Sequence, residues 1–168
     1  MSTPSFSSLL GLPAQEPAAA EEATRQVVVF RVGPELHACD VLLVEEVVSD
    51  TRVHPLPDLP AEVLGVIRLR GALVPVLDVA PALGLRLEAG RTPAVLVVEA
   101  PRGRLGIAVD EVRDVASIPL SAIQPAPGRA GEQDEQVLGV ARVGEALVTL
   151  LDLPGILRNF TLSLREPQ

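Results

Sequence analysis

The chain contains no Trp, no Tyr and no Lys, and only one Cys in 168 residues. Each absence excludes something. With three Phe as its only large aromatics, the core must be aliphatic. A lone Cys39 rules out an internal disulfide and a cysteine-only metal site, and it fits a reducing compartment. All 14 basic residues are Arg, they face 22 acidic ones, and the net charge is −8. No Arg cluster supplies the positive footprint that nucleic-acid binding needs. No apolar run reaches the roughly 18–20 residues of a membrane span. The opening MSTPSFSSLLGLP lacks a basic leader, and its apolar stretch is too short for a signal peptide. These features predict a soluble cytoplasmic protein with no direct membrane insertion.

What is present is aliphatic and repetitive. Apolar residues make up 48% of the chain, enough to fill a core. The phrase GVIRLRGALVPVLDV (65–79) returns as GVARVGEALVTLLDL (139–153), identical at eight of fifteen positions. Upstream, Val44-Glu-Glu-Val47 matches Val112-Arg-Asp-Val115. The first match is offset by 74 residues and the second by 68, so the later copy carries six extra residues, placed in the polar, Gly-rich stretch 128–136. The repeat is thus a unit of about 70 residues.

Within each unit short β-rich runs alternate with Gly, Pro and Asp. Strands are expected at 27–30, 36–40, 65–69 and 72–77, and again at 94–100 and 104–109. Residues 41–48 read as one helical turn and then a strand. The three prolines of RVHPLPDLPAEV make 52–63 a surface connection. Arg70-Gly71 is a tight hairpin turn. Pro75 places its strand at an edge. Asp78 and Asp152 each cap a short helix, VAPAL and LPGIL. Units this small solve the exposed-edge problem by closing into barrels. The expected fold is all-β with short helices: two pseudo-symmetric five-stranded barrels packed around a hydrophobic seam. The expected boundaries are a disordered arm over 1–24, a domain over 25–160 with one barrel at roughly 27–84 and the other at roughly 93–153, and a tail over 161–168.

Residues that could carry chemistry are sparse. His37 and Cys39 share one face of a strand, but a metal site needs further ligands, and the other His, His54, lies on the proline-rich connection. There is no nucleophile elbow, phosphate loop, dinucleotide fingerprint or C-x-x-C. Asp78 and Asp152 hold equal places in the two units, which argues for caps rather than a catalytic pair. No catalytic residue, metal, cofactor or small-molecule substrate is expected. What remains is surface: Arg68 and Arg70 flank Leu69 and point the same way, suited to an acidic or carbonyl-rich partner, and Glu45-Glu46 offers the opposite sign.

Several phrases together resemble a known family. F-x-V-G-x-E at 30–35, D-V-L-L-V-E-E-V at 40–47, G-V-x-x-L-R-G-x-x-V-P-V-L-D at 65–78 and G-I-A-V-D-E-V-R-D-V at 106–115 resemble the CheW family of chemotaxis coupling proteins and the related regulatory domain of the CheA histidine kinase. The similarity runs from about Arg25 to Asn159. It implies SH3-like barrels and a non-enzymatic adaptor. The adaptor would couple the cytoplasmic tips of methyl-accepting chemoreceptors to the regulatory domain of a CheA-type kinase in membrane-associated arrays. Carried over position by position, the resemblance implies a receptor groove built from Val44, Glu46, Gly65, Arg70, Ile107 and Val109. Partner contacts are further expected at Arg68, Leu69 and Glu45. The chain departs from the family where Arg68 replaces an Asn and His37 replaces a Tyr. Two alternatives remain: an accessory adaptor that binds receptors but not the kinase, and a small β-barrel enzyme or ligand-binding domain with a polar pocket around His37, Cys39 or the Asp pair.

Overall fold

The computed structural model describes residues 23–101, 103–126 and 136–165, with the backbone alone at Asn159 and over 161–165. The expected arm falls outside them except at its last two residues, as does the 128–136 loop except at Gln136. Ten strands form: β1 (Thr24–Val32), β2 (Glu35–Asp40), β3 (Val44–Val48), β4 (Val63–Leu69), β5 (Ala72–Asp78), β6 (Ala94–Ala100), β7 (Gly103–Val109), β8 (Glu111–Pro119), β9 (Val137–Val143) and β10 (Ala146–Leu151). A single turn of 3₁₀ helix, Val41–Leu43, precedes β3, and Asp40 caps it by accepting from the Leu42 N–H.

The strands make two five-stranded sheets, but not as consecutive halves. One sheet runs β8-β1-β2-β10-β9, the other β3-β6-β7-β5-β4. This corrects the expected division at 27–84 and 93–153. In repeat terms β1 to β5 correspond to β6 to β10, so each sheet has the same internal order. Each takes its first hairpin from one repeat and its other three strands from the other repeat. The exchange follows from where the ladders form: β1 pairs along its length with β8 (Thr24↔Pro119 to Arg31↔Glu111), just as β6 pairs with β3. Both sheets carry one parallel pairing, β10 with β2 and β5 with β7.

Burial explains why the exchange is stable. Strand β1 is buried on both faces: Val27 and Val29 fill the interior of its own sheet, while Val28, Phe30 and Val32 enter a second core. Strand β6 does likewise, with Val95 and Val97 on one side and Ala94, Leu96 and Val98 on the other. Among the described residues the apolar side chains gather in three cores, one inside each sheet and one between the sheets, and the last is the expected seam. Leu77 and Leu151, expected in the core, occupy equivalent places in that seam and are 0% and 1% exposed.

Two glycines make the curvature possible. Gly65 and Gly139 sit at register shifts in equivalent hairpins with φ of +155° and +157°. Beside each, the incoming connection docks through two backbone hydrogen bonds: His54 and Val66 exchange them at 2.8 and 2.9 Å, Gln124 and Val140 at 2.8 and 2.7 Å. A Cβ on Gly65 would fall on the His54 carbonyl oxygen, and one on Gly139 would lie 2.6 Å from the Gln124 oxygen. Only glycine tolerates both the torsion and the approach.

Three local expectations change. Pro75 lies on an inner strand, between β4 and β7. The missing N–H is tolerated because the parallel ladder to β7 starts one residue later, at Val76, whereas Thr149, its counterpart in the repeat, pairs with His37. Asp78 closes a local turn by accepting from the Ala80 N–H at 3.0 Å, ahead of a single 3₁₀ turn at Pro81–Leu83. Asp152, accepting from the Gly155 N–H at 3.2 Å, opens a helix of 13 residues, α1 (Leu153–Arg165). That helix runs through most of the expected tail because Leu153, Ile156 and Phe160, at helical spacing, bury into the seam. No helix of the described residues is long and apolar enough to cross a membrane.

Candidate functional site

Of the residues suspected of chemistry, His37 and Cys39 are buried, Asp78 and Asp152 are half-buried and His54 is exposed, so no shared pocket gathers them. His37 is 1% exposed and stacks on Phe30 with ring centroids 6.2 Å apart. Cys39 lies in the seam, where burial, aided by the nearby Asp40 charge, pushes its thiol up to about 12. A thiol held neutral is a poor nucleophile and a poor ligand. Among the described residues no three His, Cys, Asp or Glu side chains come together to hold a metal ion.

The surface residues are brought together more tightly than the sequence shows. Strands β3 and β4 stand at opposite ends of their sheet, yet Arg70 Nη2, at the tip of the β4–β5 hairpin, lies 3.1 Å from Glu46 Oε1 on β3. The sheet is therefore curled until its two edges meet, and this ion pair lies across the closure. Glu45 reaches the other way, to Arg104 Nε on β7 at 3.0 Å. Strand β3 is held on both sides by charge. Arg68 stands exposed on β4 opposite Leu73, which is 63% exposed, and among the described residues Arg68 has no ion-pair partner. Val47 adds a second exposed apolar group on β3.

Arg70 adopts a costly backbone. Its φ is +51°, in the left-handed region, and Gly71 follows at +83°. Two successive positive φ values suit a two-residue hairpin, but a side-chain-bearing residue there is disfavoured. The equivalent position of the repeat is Gly144, with φ of +60°. The backbone asks for glycine at both tips, and one tip carries arginine.

Other residues expected in the groove lie elsewhere. Ile107 and Val109 are both 0% exposed and belong to the seam core. Strand β7 is an inner strand, and these positions face the other sheet. Leu69 is buried inside the β3–β7 sheet. Val44 packs against the seam, and Gly65 is covered by His54. The surface set is thus the exposed Glu45, Arg68 and Arg70 with the half-buried Glu46. Arg104 and Leu73 join it; neither was singled out from sequence. Leu73 could have been, because it alternates with the buried Val74 and Val76 and its counterpart Leu147 is 65% exposed.

Elsewhere the surface is anchored rather than open. Asp110, 5% exposed, accepts from the N–H groups of Gly33 and Glu88 at 2.6 and 2.7 Å. Arg31 adds contacts to Glu88, Asp110 and Glu111, tying the connection between the repeats onto the β1–β2 turn.

With this geometry the chain matches known proteins over nearly all its described length. The family model of the CheW-like domain matches residues 26–160. The chain is 31% identical over 134 residues to the chemotaxis protein CheW of Rhizobium meliloti, covering 79% of this chain and 86% of that one. It is 28% identical over 158 residues to the chemotaxis protein CheW of Klebsiella aerogenes, covering 93% and 95%. The crystal structure of the scaffolding protein TtCheW from Thermoanaerobacter tengcongensis superposes with a TM-score of 0.66 at 28% identity, covering 77% of this chain and 90% of that one. An interleaved pair of SH3-like barrels, a charged edge and these matches lead to one conclusion: the chain belongs to the CheW-like family of chemotaxis scaffolds, which are adaptors and not enzymes.

Proposed function

We propose that this protein couples the cytoplasmic tips of methyl-accepting chemoreceptors to the regulatory domain of a CheA-type histidine kinase, working in the cytoplasm at membrane-associated arrays. The observation that carries the reading is Arg70. It occupies a left-handed position that glycine fills in the other repeat, and its guanidinium lies exposed beside Glu46. A residue kept in a strained backbone at a surface tip is explained by what its side chain meets. The receptor contact is assigned to this edge: Glu46 and Arg70 at its centre, Glu45, Arg68 and the apolar Leu73 around them, and Val44 at the margin of the seam. Gly65 shapes the edge from below. Ile107 and Val109 support it from the core. Partner selection here rests on charge and orientation, with Arg's planar fork suited to carboxylate or carbonyl groups.

A calorimetric titration against the regulatory domain of the CheA-type kinase encoded nearest to it, and a second against a receptor tip, test the assignment. Binding to both at micromolar affinity or better supports a coupler. Receptor binding without kinase binding makes the protein an accessory adaptor. Binding to neither refutes the proposal.

A further inference from the structure

We propose that a cleft at the base of the β4–β5 hairpin is a second binding site, which takes an arginine side chain presented by a partner polypeptide. The cleft has a volume of about 450 Å³. It lies at the opposite end of the hairpin from Arg70, with the seven residues of β4 between them. It is therefore distinct from the edge described above and does not depend on that assignment.

The cleft forms where the two repeats meet. Glu62 and Gln136 are repeat equivalents, and their backbone oxygens accept from the N–H groups of Asp78 and Asp152 at 2.8 and 2.9 Å. Both line the cleft. The remaining wall differs between the repeats. One side contributes Asp78 and the 3₁₀ turn at Pro81; the other contributes Ile156 and Phe160 of helix α1. The result is a largely apolar cleft lined by two acidic residues, and among the described residues no cation lines it. Among the described residues neither Glu62 nor Asp78 has an ion-pair partner.

The chemistry of these groups selects the occupant. Ionised carboxylates only accept hydrogen bonds, so the ligand must donate. Guanidinium carries five donors, is weakly hydrated and lies well against an aromatic ring such as Phe160, while its aliphatic stem suits Pro81 and Ile156. Asp78 is half-buried, and burial raises its carboxyl above the usual range, opposed by its bond from Ala80 and reinforced by the charge of Asp110. A cation in the cleft reverses that penalty. The volume falls within the ordinary range for ligand pockets and exceeds what one guanidinium fills, so a peptide that adds a neighbouring apolar side chain covers the wall that free arginine leaves wet.

The test uses the full chain and two blocked tripeptides, acetyl-Leu-Arg-Leu-amide and the same peptide with citrulline, followed by NMR. The arginine peptide should shift resonances of Glu62, Asp78 and Ile156 saturably and lower the apparent pKa of the Asp78 carboxyl. Citrulline keeps the shape, loses the charge and should bind at least tenfold more weakly. Glu62→Gln and Asp78→Asn should each weaken the arginine peptide about tenfold while the rest of the spectrum stays unchanged. Arg70→Gly should leave this site intact. Equal response to citrulline, or no saturable shift at these residues, would each overturn the proposal.

Discussion

Replacing Arg70 by glycine separates what the fold wants from what the surface does. Three terms decide its effect on stability. A left-handed torsion costs a side-chain-bearing residue roughly 1–2 kcal/mol, which glycine recovers. The ion pair to Glu46 is lost, but its partners are 70% and 31% exposed, so it contributes only about 0.2–1 kcal/mol. Glycine also gives the unfolded chain more freedom, at roughly 0.4–1 kcal/mol. The terms nearly cancel, and Arg70→Gly should unfold within about 1 kcal/mol of the parent in urea. Arg70→Ala keeps the torsion and loses the pair, so it should be the less stable of the two. Both variants should bind a receptor tip at least tenfold more weakly, since truncating a central Arg contact costs about 2 kcal/mol or more. An Arg70→Gly protein that binds like the parent refutes the functional reading. One destabilised by more than about 2 kcal/mol refutes the backbone argument.

Three further outcomes are expected. Leu77→Ala and Leu151→Ala each open a cavity in the seam and should cost about 2–5 kcal/mol by denaturant titration; a cost below 1 kcal/mol in either would show that the seam relaxes. Gly65→Ala sets a methyl against the His54 carbonyl, and should lower the unfolding midpoint far more than Gly71→Ala, where a Cβ meets nothing within 4 Å. With no Lys and no Tyr, Cys39 is the one side chain that titrates between about pH 9 and 12. Its folded pKa lies above the unfolded value, so its stabilisation holds below about pH 9 and is lost as pH rises toward 12, at about 1.4 kcal/mol per unit. Cys39→Ala should lack that alkaline slope in equilibrium unfolding; an equal slope in both proteins would assign it elsewhere.

Much of this was legible in the residues. Period-two alternation and Gly or Asp punctuation located most of the strands, and the doubled phrase located the twofold relation. The exchange of hairpins was not legible, because both pairings bury β1 and β6 on two faces and leave the same apolar pattern. The length of α1 was missed since Pro154 and Gly155 look like a stop, whereas they fall in a first turn capped by Asp152. At the site, charge and turn chemistry singled out Glu46 and Arg70, whose side chains meet at the edge of the sheet. Ile107 and Val109 were misplaced because a strand's two apolar faces look alike until the neighbour on each is known. The ion pair itself, across the closure of a barrel, depends on curvature that no local pattern carries.

The interleaving also orders events during synthesis. All strands of the β3–β7 sheet lie between Val44 and Val109, so that barrel can close once this stretch has left the ribosome. The other sheet begins with β1 at Thr24 and ends with β10 at Leu151. The first hairpin made is therefore the one that waits longest for its neighbours, with Val27 and Val29 unsheltered until β8, β9 and β10 emerge. Long-range pairing of this kind slows folding and leaves apolar strands exposed to aggregation. A pause in translation before Glu111 should therefore expose more hydrophobic surface than one after Leu151.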